Sequence, residues 1–166
     1  MAFQQSVGIA FAPAQAGDFA SANPRASVLA GAGSLVAGAS GVTVGLFAWA
    51  NSAGLVSNAG SGAPTGFVHR ESNASITAWL GTSGNLIQPG REITLHQAGD
   101  FWAVTTTTYT KGQKVFASLT TGQIATGAAG ATITGFIETK WVVGMPTLNA
   151  TGAAGELIKI STWIEG

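Results

Sequence analysis

The chain has 166 residues, of which only 8% are charged, with seven basic side chains balancing seven acidic ones. A neutral sequence with so few ionic groups lacks the basic stripe that displaces counterions from nucleic acid. Its lack of cysteine rules out disulfides and Cys-ligated metals, and no run of about 18 apolar residues reads as a membrane-spanning helix.

The length suits one domain with a non-globular extension. Between Met1 and His69 only Asp18 and Arg25 are charged; the other charged residues begin at Arg70. The opening MAFQQSVGIAFAPAQAGD has neither the basic start nor the long apolar run of a secretory signal, so the chain reads as a soluble protein. In PAQAGDFASANPRAS, Pro13, Gly17, Asn23 and Pro24 favour extended or turning backbone over helix. Residues 26–41, ASVLAGAGSLVAGASG, carry no charge, ring or proline. Residues 1–40 are therefore expected to form an extended Ala/Gly-rich N-terminal arm, with a short strand near 5–11. Ordering about 25 such residues costs on the order of 25–50 kcal/mol of backbone entropy. Small side chains recover little of that alone. The expectation is an arm that is loose until it lies along a partner, against the plainer readings of a disordered leader or an extra edge strand.

From Gly41 the pattern changes to β-branched and aromatic runs. VTVGLFAW (42–49), GFVHR (66–70), SITAWL (75–80), EITLH (92–96) and FWAVTTTTY (101–109) read as strands. KVFASL (114–119), TITGFIETKWVV (132–143) and ELIKISTWI (156–164) complete the set. In EITLH, Ile93 and Leu95 share one face and Glu92, Thr94 and His96 the other. In 132–143, Ile133, Ile137 and Trp141 oppose Glu138 and Lys140. This period predicts an antiparallel sheet with one wet side. The fold class is all-β: a small antiparallel β-sandwich or barrel, jelly-roll-like, over residues 41–166. Phe47, Trp49, Ile93, Leu95, Phe116, Ile137, Trp141, Ile158 and Ile160 are the expected core.

The chemistry of sites is sparse. GAGSLVAG places Val36 where a dinucleotide fingerprint needs its third glycine, and no βαβ pattern surrounds it. His69 and His96 lack the further ligands of a zinc centre and read as polar strand residues. The carboxylates Glu71, Glu92, Asp100, Glu138, Glu156 and Glu165 are scattered singly and read as surface charges. Five tryptophans suit core or interface anchors, with a glycan-stacking platform as the alternative. The NAS (73–75) and NAT (149–151) triplets carry little weight without a signal peptide. No catalytic constellation emerges, so an enzyme is not expected.

Read together, AGDFASANPR (16–25), GVTVGLFAWAN (41–51), GAPTGFVHRE (62–71), AGDFWAV (98–104), KGQKVFASL (111–119) and GELIKISTW (155–163) resemble the structural cement proteins that decorate tailed-bacteriophage heads. The resemblance runs from about residue 13 to the end. It implies an all-β protein on the outer surface of the phage head, made in the bacterial host cytoplasm. Such a protein stabilises contacts between major capsid subunits. The implied partners are the major capsid protein and further copies of the chain, as homodimer or homotrimer, with no cofactor, nucleic acid or membrane. Another virion surface component, such as a head-fibre base or glycan-binding module, is the alternative. Candidate capsid or neighbour contacts are Pro13, Phe19, Pro24, Arg25, Val28, Leu29 and Leu35 on the arm, with Arg70 and Glu71 beside a strand.

Overall fold

A computed structural model of the protein describes residues 14–31, 33–71, 85–144 and 151–163. Pro13, the expected strands at 5–11 and 75–80, Trp79 and the asparagines of both NAS and NAT lie outside them. Among the described residues there is no helix, and hence none long and apolar enough to cross a membrane. The strands are short. In chain order they are β1 (Ala26–Ser27), β2 (Val36–Ala37), β3 (Val42–Thr43), β4 (Phe47–Ala50) and β5 (Leu55–Ser57). Next come β6 (Gly66–Val68), β7 (Leu86–Ile87), β8 (Leu95–Ala98), β9 (Asp100–Val104) and β10 (Tyr109–Thr110). The last are β11 (Lys114–Ser118), β12 (Ile124–Gly127), β13 (Phe136–Val143), β14 (Thr151–Gly152) and β15 (Leu157–Ser161).

Two open sheets face each other. One has the order β1-β8-β6-β4-β5-β2, the other β12-β11-β13-β15-β9. Among the described residues every strand-to-strand pairing is antiparallel except β2 with β5, the isolated Thr105–Ile124 bridge is also parallel, and the sheets do not close into a barrel. Between them lies an aromatic core. Phe67 packs 5.1 Å from Phe101 and 5.5 Å from Phe47, and Trp141 stands 5.7 Å from Phe101. Val115, Ala117, Ile158 and Ile160 complete this cluster from the second sheet. Tilted and edge-on rings at these separations suit the aromatic quadrupole and add to the area they bury.

The prediction of one wet side fails for the centre of the first sheet. Phe47 and Trp49 enter the aromatic core, whereas Ala48 points to a second cluster with Val42, Val44, Val56, Val68, Ile87, Ile93 and Leu95. A strand buried on both faces has no polar positions to alternate with, which is why FAWA is apolar throughout. The same double burial encloses His96, expected on the wet face and only 4% exposed.

Turn chemistry shortens the predicted strands. Gly45, at φ 78°, turns the chain between β3 and β4 while its N–H donates to the Val68 carbonyl. A side chain there would strike Ala16. FWAVTTTTY splits where Thr105 Oγ1 accepts from the Thr107 N–H, leaving β9 and β10 on either side. Strand β12 was not anticipated; it pairs with β11 through Val115↔Thr126 and Ala117↔Ile124. In β13 the register against β11 shifts between Lys114↔Val142 and Phe116↔Glu138. There Thr139 turns inward, its hydroxyl donating to the Val115 carbonyl at 2.7 Å. All nine expected core residues are buried except Ile137, which is partly buried against the aromatic cluster.

Candidate functional site

Strands β8 and β9 are one bent strand. Gly99, at φ 140°, lets the chain leave the first sheet and join the second. Residues 17–28 run antiparallel along both halves of this bend. The Gly17 N–H donates to the Trp102 carbonyl, Trp102 N–H to Asp18 and Ala20 N–H to Asp100, at 2.7–2.9 Å. Further on, Ala26 and Ser27 pair with Ala98 and His96, and the Val28 N–H reaches the Leu95 carbonyl at 2.8 Å. In this chain residues 17–28 thus lie as an edge segment of the domain. It forms a strap tying the two sheets together at one end. Its entropy is offset by pairing with its own domain.

Side chains fasten the strap. The Asp100 carboxylate accepts from Ser21 (2.5 Å) and Asn23 (2.6 Å) on the strap and from Ser161 (2.5 Å) on β15. The indole N–H of Trp163 donates to the Pro24 carbonyl at 2.8 Å. The Phe19 ring, 38% exposed, stacks on His69 at 4.9 Å and touches Phe101 at 5.3 Å and His96 edge-on at 5.8 Å. Arg25 places its guanidinium 3.9 Å from the Phe19 ring centre.

Beneath Phe19 the two histidines meet. His96 Nε2 and His69 Nδ1 are 2.9 Å apart, and His69 Nδ1 lies 3.4 Å from a Glu71 carboxylate oxygen. Burial pushes both imidazoles below their usual value. For His69, Arg25 adds to this and Glu71 opposes it. His96 falls to about 4, through burial first, then His69 and Arg25. His96 Nδ1 is buried and has no hydrogen-bond partner. Among the described residues no group of three or more His, Cys, Asp or Glu side chains is spaced to hold a metal ion.

The structure thus brings most of the sequence-predicted contact residues to one end of the molecule. Arg70 pairs with Asp18 of the strap at 3.2 Å, and its N–H donates to the Gly17 carbonyl. Glu71 accepts from the Thr94 N–H at 3.1 Å. It also lines a cleft of about 260 Å³ with Val28, Leu35 and Glu92. Pro24 and Arg25 are exposed, Val28 is partly buried, and Leu29 is 96% exposed. Leu35 differs: it is 8% exposed and belongs to the second core. Sequence reasoning missed the His69–His96 pair, the Asp100 hub and the Trp163 tie. Their partners lie 27 to 139 residues apart, and no spacing rule joins them. Of the tryptophans described, Trp49, Trp102 and Trp141 are buried, leaving only Trp163 with half its surface open.

No curated protein matches the chain significantly. Among solved structures, a chain from the capsid of Myoviridae phage XM1 shares the fold with a TM-score of 0.62. It is 17% identical in sequence, with 98% of each chain covered. Residues 3–162 match the XM1 gp53 minor capsid protein family, so the chain belongs to that family and is a bacteriophage capsid-associated structural protein.

Proposed function

We propose that the protein is a cement or decoration protein. It binds the outer surface of a tailed-phage head and stabilises contacts between major capsid subunits, as a homodimer or homotrimer. It carries no enzymatic activity and needs no cofactor. The observation that carries this reading is the exposed strip from Ser21 to Leu29. Seven consecutive residues, 21–27, are exposed, and Leu29 projects almost fully into solvent. Arg25 is the only charge among them. On one side β1 pairs with β8, and it is the last strand of its sheet. An edge with small side chains allows close approach of another backbone, and main-chain pairing supplies affinity without deep pockets. A surface with so little charge has little to repel neighbouring copies. Leu29 is the apolar anchor; Arg25, Arg70 and Glu71 give polar contacts at the margin.

The test is sedimentation of purified protein with expanded capsids lacking decoration, beside a known cement protein as positive control. The protein is expected to pellet with the shells, and Leu29→Asp to weaken binding at least about tenfold, the equivalent of about 1.4 kcal/mol. If it stays in the supernatant while the control pellets, the cement reading falls.

A further inference from the structure

His96 lies at the crossing of three strands: Ser27 of β1 on one side, Phe67 of β6 on the other, and His69 one residue beyond β6. The 2.9 Å contact between His96 Nε2 and His69 Nδ1 needs one nitrogen to donate and the other to accept. The arrangement that leaves no buried N–H orphaned has His96 donating from Nε2, with its Nδ1 bare. A proton added at His96 Nδ1 is then buried as an N–H without an acceptor. One added at His69 Nδ1 puts two hydrogens into the 2.9 Å contact. Either costs more than it would in water.

The surrounding charges do not relieve this fully. The strap brings Arg25, whose positive charge opposes protonation of both rings. Asp18, also on the strap, is paired with Arg70. From the chain after β6, Glu71 favours a proton on His69 but is shared with the Thr94 N–H. From the bend, Asp100 is held by Ser21, Asn23 and Ser161. Glu92, across the nearby cleft, accepts from Ser34. Phe19, stacked over His69 and edge-on to His96, covers the pair from the strap side, with Phe101 packed on His96 from the body.

We propose that the strap 17–28 is an acid-sensitive latch: protonation of the His69–His96 pair lifts Phe19 away and unpairs the strap from β8 and β9, while the two-sheet body stays folded. The body keeps its stability because the buried members of both clusters lie outside residues 17–28, and of the strap's partly buried hydrophobics only Val28 packs against one of them. The direction follows from proton binding. Both histidines titrate below their ordinary value, with burial the largest cause; uncovering them relieves part of that burial, so the open form binds more protons. Latching is complete above the ordinary histidine value of about 6.5 and is lost as pH falls toward about 4. If opening returned His96 fully to its ordinary value, the open-to-closed ratio at pH 5 would be about thirty-fold that at pH 8; His69 stays beside His96 in the folded body, so this is the upper bound. This inference concerns the chain itself and does not rest on shell binding.

Amide hydrogen exchange by NMR, corrected for intrinsic rates, tests it on the intact chain. The strap bonds are reported by the Gly17, Ala20, Val28 and Trp102 amides, and the body by the Phe47 and Ser118 amides. From pH 8 to pH 5 the strap opening constants are expected to rise severalfold, to at most about thirty-fold, and the body constants to hold. His96→Gln should flatten the strap response; if that variant does not fold, the wild-type contrast still decides. The latch is refuted if strap and body open together, if the strap does not respond to pH, or if the His96 ring titrates near 6.5 with the strap closed.

Discussion

Replacing Phe19 by alanine tests whether one side chain fastens the strap. A phenylalanine side chain exposes about 200 Å² in an open chain, and Phe19 retains 38% of its exposure. About 120 Å² is therefore removed from water, which at 25 cal/mol per Å² is about 3 kcal/mol. That figure is an upper bound, because an open strap keeps some contact with the body. Loss of the Arg25 contact and of the imidazole and Phe101 contacts pulls the other way. A net loss of about 2–3 kcal/mol raises the open population roughly thirty- to one-hundred-and-fifty-fold. Trypsin reads this directly, since Arg25 lies within the strap and cleavage after it requires local opening. When reclosing outpaces cleavage, the rate tracks the open population. Native-state cleavage after Arg25 should accelerate by that factor, with little change in the melting of the body. A rate within twofold of wild type refutes the reasoning. So does a large fall in Tm without faster cleavage, which would place Phe19 in the body's core instead.

Two further substitutions probe the frame around the strap. Asp100→Ala removes the acceptor shared by Ser21, Asn23 and Ser161; with two of the donors free to turn to water, a cost of about 2–3 kcal/mol is expected. Calorimetry should show Tm lower by about 5–10 °C, and a fall below about 2 °C would mean that the carboxylate contributes nothing. Trp141→Ala empties the centre of the aromatic cluster, where Trp141 is 2% exposed among Phe47, Phe67 and Phe101. Urea unfolding should report a loss of about 3–5 kcal/mol; less than about 1 kcal/mol would contradict the packing described.

The strap gives physical content to the composition of residues 17–28. A segment of Ala, Gly, Ser and Asn has too little side-chain area to fold on its own. It is held instead by backbone pairing along the bent β8–β9 strand and by a few anchors: Phe19 on His69, Asn23 on Asp100, Trp163 on Pro24. Elements fastened by few contacts open at lower free energy than a packed core.

The all-β class and most of the core were legible in the sequence, because side-chain alternation and turn residues are local signals. The runs VTVGLFAW, KVFASL and ELIKISTWI carry that pattern within a few residues, and Gly and Pro punctuate them. The low, balanced charge was likewise legible without reference to the fold. Tertiary structure alone decided which faces are wet. His96 has the pattern of a solvent-facing strand residue, yet it is enclosed by Phe19 from 77 residues earlier. Leu35, read as an arm contact, is drawn into the second core by the chain folding back over it. Local spacing encodes which way a side chain points. What covers that side is set by distant segments that pack there.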